Sequence, residues 1–484
     1  MNASLLLRIF IPGGVVSHNE LVGVIRLCKK FNIPSIQFGL RQDINIRVDH
    51  TRKAELIDEL NQLRLDFDIN SDWSRNIVTS YVSNRVFLSE SWLTEGTYLD
   101  ILDTFGYKPQ LRINIVDPNQ GLVPTHTGHL NFIASKNNNY WYLHMELPDW
   151  FPPNTSWPSL IYSYDISKVS QKIEELYLTG EKFTVNELFE KINELIHSNS
   201  RRIDQELKLP EVPLPYYEGV NKSGNKYWLG MYMRDYLFNI DFLEATLALL
   251  SKNNINKICI TPWRSLLIKG IKESEWINWV KMLGKYGINL RHSSLELNWR
   301  VPDFDSTATQ LKQYLVKEFD KKDIRTYGLT FAIRTAKVDL DGMIMIERKK
   351  SKSIFKGSKQ TGTYDIYHAK GFEFNQTEYD NYAKNVTYKD LPSVLEKVTQ
   401  LYYDQQSTPS EEEDKLASSK EAESHSIYEC KHCFTTYDEE FGDSTNYVEP
   451  GTSFKDIPNS FRCPVCDSPK SDFVEQKNEE YHIG

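Results

Sequence analysis

Pro34-Ser35-Ile36-Gln37-Phe38-Gly39-Leu40-Arg41-Gln42-Asp43-Ile44-Asn45-Ile46 reads as a strand, a turn bearing Arg41 and a second strand. Some 223 positions later, Asn256-Lys257-Ile258-Cys259-Ile260-Thr261-Pro262-Trp263-Arg264-Ser265-Leu266-Leu267-Ile268 reads the same way, with Arg264 at the turn. A helical pattern precedes each segment (Ser17 to Phe31; Asp241 to Lys252), and another follows (Thr51 to Leu65; Ser274 to Tyr286). Ser17 with Glu20 three residues on is a capping box that starts the first helix. Each copy is a β-α-β-β-α unit of ferredoxin-like class. Such a repeat implies a body of two related halves with a cleft between them.

Outward from these copies lie two larger α/β segments, one from about Ser74 to Ser200 and one from about Arg300 to Tyr403. The expected organisation is α+β and multidomain: half-domains at 1–70 and 206–295, α/β domains at 71–205 and 296–404, a linker at 405–426 and a small module at 427–484. The linker, QQSTPSEEEDKLASSKEAESHS, has too little apolar surface to fold and is expected to be disordered. Such a coil spans roughly 25 Å on average and lets the module move. The apolar start Ser4-Leu5-Leu6-Leu7-Arg8-Ile9-Phe10-Ile11 is short, broken by Arg8, and runs into Pro12-Gly13-Gly14; it reads as a strand, not a signal peptide. No run approaches the ~18 apolar residues of a membrane helix, so the expected place is the cytoplasm.

Two of the six cysteines, Cys28 and Cys259, stand apart at apolar positions and read as buried thiols. The other four form two Cys-x-x-Cys pairs, Cys430 with Cys433 and Cys463 with Cys466. Their spacing can set four sulfurs at tetrahedral corners, which suits zinc or iron. From Ile427 to the end there are 12 acids against 5 bases, and from Asp404 to Ser426 there are 7 against 2. With −9 for the whole chain, the body is left weakly basic. An acidic tail can dock on basic protein surfaces and argues against nucleic acid as a partner.

Between the pairs stand Pro450-Gly451-Thr452-Ser453-Phe454 and Asp456-Ile457-Pro458, and the second pair reads Cys463-Pro464-Val465-Cys466. This arrangement closely resembles rubredoxin. The resemblance implies a small, metal-bound, β-rich domain holding one iron ion (Fe3+/Fe2+) on Cys430, Cys433, Cys463 and Cys466, without zinc. Tyr428, Tyr437, Phe454, Phe461 and Phe473 supply the aromatic core that so short a domain needs beside its metal. Phe434 and Asp467 stand where rubredoxins usually have glycine, which puts the redox potential in question. His432 reads as an exposed loop residue, not a ligand.

The body resembles the sulfite/nitrite reductases, which bind siroheme coupled to a four-iron cluster. The likeness rests on Leu40-Arg41-Gln42, Ser74-Arg75-Asn76-Ile77, Thr125 to Ala134, Thr261-Pro262-Trp263-Arg264 and Gly362-Thr363-Tyr364-Asp365-Ile366, in the family's order. It implies that Arg41, Arg75, Arg112 and Arg264 face siroheme carboxylates or an anionic substrate, which arginine grips with bidentate bonds. The two stretches where the family places its cluster thiolates, Ser294 to Asp305 and Leu329 to Lys337, hold no cysteine. No 4Fe-4S cluster is therefore expected, and a siroheme would lack its bridging ligand. The expected function is one-electron transfer by the rubredoxin. The body is then a docking scaffold or adaptor, in assimilatory nitrite, nitrate or sulfite reduction. Its partners are a donor reductase and a reductase-type acceptor, with no membrane. The alternative is a siroheme-binding reductase fed by its own rubredoxin.

Overall fold

The computed structural model describes residues 4–70, 74–84, 86, 91–152, 154–210, 218–223, 226–288, 290, 296, 298–335, 340–349, 362–373, 378–406, 427–433, 435–439, 442–443, 446, 448–449 and 451–476. Contacts divide the chain into two units, Met1–Tyr403 and Asp404–Gly484. Among the described residues, the body is mixed α/β with four sheets, and the tail is small and β-rich.

The repeat governs the body. In the first half, strands Ser4–Ile9, Ser35–Phe38 and Ile44–Asp49 carry the helices His18–Lys30 and Lys53–Leu63. In the second, Lys226–Met231, Lys257–Ile260 and Leu266–Lys272 carry Ile240–Lys252 and Trp276–Lys285. Ser17 caps the first helix in a capping box with Glu20, and Asn239 caps its counterpart through the amides of Asp241 and Phe242. The buried faces of both halves merge in one apolar core that includes Leu7, Val24, Ile46, Leu229, Leu243 and Ile268.

Each half also lends a strand to the other. Val15–Ser17 pairs antiparallel with Lys257–Ile260 of the second half. Phe238–Asn239 pairs antiparallel with Ser35–Phe38 of the first. The five-stranded sheets of the two halves are thus completed by reciprocal exchange.

The two turns have one backbone. Gly39 N–H donates to the Asp43 carbonyl at 2.9 Å, and Thr261 N–H to the Ser265 carbonyl at 3.0 Å. Gln42 and Arg264 are both left-handed, at φ +61° and +57°. Arg264 therefore matches Gln42, not Arg41, and Trp263 holds the place of Arg41. The offset is 222, one less than the side-chain match of Arg41 with Arg264 suggested.

The α/β domains repeat as well. In the first, Val78–Thr79, Ile113–Val116 and Leu130–Ala134 are parallel, and Tyr140–Met145 turns antiparallel. In the second, Trp299–Arg300, Phe331–Arg334 and Ile344–Arg348 are parallel, and Thr363–Ala369 turns antiparallel. The helix Leu391–Gln406 takes in Gln405 and Gln406, the first two residues of the expected linker; the other linker residues lie outside the described residues. Among the described residues, no helix is long and apolar enough to cross a membrane.

In the tail, Thr436–Asp438, Ile427–Cys430 and Phe473–Gln476 form a three-stranded sheet. Tyr428, Tyr437, Phe454, Phe461 and Phe473 pack over it, with Tyr428 stacked on Phe454 at 4.1 Å between ring centres.

Candidate metal centre and the arginine cluster of the body

Cys430 ends the tail's central strand, opposite Phe473. Cys433 closes the turn that follows, and Cys463 and Cys466 flank the second turn. Their four sulfurs all lie within 4.8 Å of one another. Cys430 Sγ is 3.6 Å from Cys466 Sγ, and Cys433 Sγ is 3.4 Å from Cys463 Sγ. A tetrahedral ion with metal–sulfur bonds of ~2.3 Å needs sulfur separations of roughly 3.8 Å. The donor set and its dimensions fit one iron site.

Two hydroxyls meet this set: Thr435 Oγ1 is 3.1 Å from Cys433 Sγ, and Ser468 Oγ is 3.0 Å from Cys466 Sγ. Thr435, through its hydroxyl and its amide, holds the Cys433 thiol below the usual thiol range. Burial pushes the Cys463 thiol up to about 11, against the amides of Cys466 and Val465. Thr435 and Ser468 were not singled out in the sequence, although each stands two positions after the second cysteine of a pair. Asp467 takes φ +62°, the conformation that glycine would adopt there; Phe434 lies outside the described residues. His432 faces Asp472 at 3.0 Å and is no part of the sulfur set. Cys28 and Cys259 are buried, and burial pushes the Cys28 thiol up to about 12.

In the body, the expected arginines do gather. Arg41 is half-buried and donates to Asn114 Oδ1 at 2.7 Å and to the carbonyls of Ile113 and Asn76 at 2.8 and 3.0 Å. Burial depresses its pKa, and the positive charges of Arg112, Arg75 and Arg300 add to the effect while Asp43 opposes it. Burial likewise depresses Arg300, with Arg264 and Arg112 among its positive neighbours. One positive field thus joins Arg41, Arg75, Arg112 and Arg264 to Arg300, a residue that sequence reading passed over because no turn or motif marks it.

These arginines have internal partners for some of their N–H groups, whereas Arg41 Nε, Arg264 Nε and Nη1 and Arg300 Nε are buried without one. Arg264 is 1% exposed, pairs with Asp303 Oδ1 at 2.5 Å, donates to the Val301 carbonyl and lies over the Tyr236 ring at 4.8 Å. Arg300 donates to the Asp341 carbonyl at 3.0 Å. Arg75 reaches the Ser74 carbonyl at 3.4 Å, and the Arg112 backbone amide donates to His129 Nδ1 at 3.0 Å.

Comparison with known proteins gives each unit its kin. The Rubredoxin family profile matches residues 427–473. "Probable rubredoxin HupJ" of Rhodobacter capsulatus is 46% identical over 52 residues, 11% of this chain and 19% of that protein. "Probable rubredoxin HupI" of Bradyrhizobium diazoefficiens is 46% identical over 46 residues, 10% of this chain and 67% of that one. "Rubredoxin 4" of Rhodococcus sp. is 43% identical over 49 residues, 10% and 82%. The solved structure of the Mycobacterium tuberculosis NirA protein superposes with TM-score 0.62 at 13% identity, covering 86% of this chain and 84% of that one. At that identity the likeness is one of fold alone.

Proposed function

Because the chain belongs to the rubredoxin family through residues 427–473, we propose that it passes single electrons between redox proteins through an iron held by Cys430, Cys433, Cys463 and Cys466. The convergence of four sulfurs within 4.8 Å of one another carries this reading. An iron bound by four thiolates supplies a one-electron couple with little change of geometry. The rest is the work of this chain's residues. Cys430 and Cys463 are buried, which keeps water from their sulfurs, whereas Cys466 is exposed beside Val465, itself 71% exposed. That edge is where a partner's redox centre can come near. The Thr435 hydroxyl favours the thiolate form of Cys433, the sulfur it faces.

The body is proposed as a docking scaffold or adaptor for the tethered module, in assimilatory nitrite, nitrate or sulfite reduction. Its fold and its lack of cluster cysteines support this reading, as does an acidic tail beside a weakly basic body. Natively produced protein should contain one iron per chain, with ferric thiolate absorption that bleaches reversibly on one-electron reduction. One zinc and no iron would sink the proposal.

A further inference from the structure

The two cysteine pairs of the tail repeat one device. The amide of Cys430 donates to the Thr435 carbonyl at 2.9 Å, and the amide of Cys463 donates to the Ser468 carbonyl at 2.8 Å. Each bond closes a loop that carries one Cys-x-x-Cys pair. At the far end of each loop a side-chain hydroxyl turns back to the second cysteine, to Cys433 Sγ at 3.1 Å and to Cys466 Sγ at 3.0 Å. The backbone beside each hydroxyl is held. Thr435 leads straight into the strand Thr436–Asp438, which pairs with Ile427–Cys430. Asp467, left-handed at φ +62°, makes the turn before Ser468. Pro469 follows Ser468 and favours extended backbone there.

The pairing of hydroxyl with sulfur has one direction. A thiolate that holds iron has no proton, so the hydroxyl is the donor. Among the described residues, neither hydroxyl has another acceptor. Cys433 is half-buried and Cys466 exposed, whereas Cys430 and Cys463 are buried. The donors thus meet the two outer sulfurs. Thr435 and Ser468 are themselves half-buried, which limits competition from water. A centre of four thiolates is more negative with ferrous than with ferric iron. A donor aimed at sulfur therefore stabilises the ferrous form more. The step takes one electron from a donor protein; no bond forms or breaks, and each proton stays on its oxygen.

We propose that Thr435 and Ser468 are a matched pair of positioning residues whose hydroxyls raise the reduction potential of the iron above what the backbone amides alone would set, and so fit the module to acceptors of correspondingly higher potential. The inference rests on the iron centre proposed above and deepens it. Potentiometric titration of the full-length, iron-loaded chain tests it, beside Thr435→Val, Ser468→Ala and the two together. The double variant should keep its iron and lose about tenfold in the one-electron equilibrium constant, a fall of about 59 mV. Each single variant should show a share of that fall, and Thr435→Ser, which keeps the hydroxyl, should stay near the unaltered value. The sulfur-to-iron charge-transfer bands should move to longer wavelength as the potential falls. An unchanged potential in the double variant, or an equal fall in Thr435→Ser and Thr435→Val, overturns the inference while the iron centre stands. An unaltered chain that holds no iron overturns both. Should a variant lose its iron, the Fe–S stretching frequencies of the unaltered chain decide. They should shift at once on transfer to deuterated water, because hydroxyl protons exchange faster than hydrogen-bonded amide protons; no immediate shift overturns the pair.

Discussion

In the tail, four sulfurs converge with only hydroxyls and amides behind them. In the body, the Arg264 guanidinium meets Asp303, a carbonyl and an aromatic ring, and the Arg41 guanidinium meets an amide and two carbonyls. Both places concentrate groups of one chemical kind. The difference lies in what completes them. Four thiols packed together are completed by a cation that the chain does not contain. Arginines beside Asp43 and Asp303 are completed by the chain only in part: Arg41 Nε, Arg264 Nε and Nη1 and Arg300 Nε are buried without a partner.

The largest expected effect tests the first side of that contrast. Cys463→Ser removes a buried sulfur from a module with a small aromatic core. It should abolish stable iron binding and unfold the tail, because metal binding free energy in such modules is folding free energy. Iron content and near-ultraviolet circular dichroism would report it, with the body's melting transition unchanged. On the other side, Arg264→Ala leaves Asp303 without its partner and empties a fully buried space. A loss of about 3–5 kcal/mol in body stability is expected, measured by chemical denaturation with the tail's iron retained.

A smaller effect concerns pH. Burial pushes Asp43 up to about 6 from 3.8, against Arg8 and Arg41, with the charge of Asp303 adding to the rise. The folded chain thus binds that proton more tightly than the unfolded one, so ionised Asp43 costs stability as pH rises through that window. Asp43→Asn should gain in melting temperature relative to the unaltered chain between about pH 4 and pH 7. A constant difference across that range would mean the carboxylate is not buried against its neighbours. Smallest is Thr435→Val, which keeps the amide and removes the hydroxyl from Cys433 Sγ. Iron should remain bound while the reduction potential falls, since fewer hydrogen bonds leave more electron density on sulfur. An unchanged potential in a redox titration would show that the amides alone tune the site.

The tail was legible because a metal fixes the spacing of its ligands, and Pro450-Gly451-Thr452-Ser453-Phe454 with Asp456-Ile457-Pro458 carried the resemblance that pointed to iron. The body's layout was legible for a different reason: a repeat doubles every signal, and the capping box at Ser17 marked one helix start. What escaped reading had no such mark. Val15–Ser17 and Phe238–Asn239 are too short to show a period, so their exchange between halves could not be seen. The match of Arg41 with Arg264 followed side-chain identity, whereas left-handed backbone at Gln42 and Arg264 sets the true register. Val301–Asp305 was read only for the cysteines it lacks, and nothing local foretells that Phe304 reaches Gln37 and Arg47, some 260 positions back in the chain.

The exchanged strands also bear on how the body comes apart. Removing either half strips an edge from the other's sheet and exposes its backbone donors and acceptors to water. Val15–Ser17 and its partner Lys257–Ile260 are over 200 residues apart, so neither sheet is complete until most of the body has been synthesised. The two halves are thus the products of one cooperative transition, and duplication here has yielded a single inseparable folding unit.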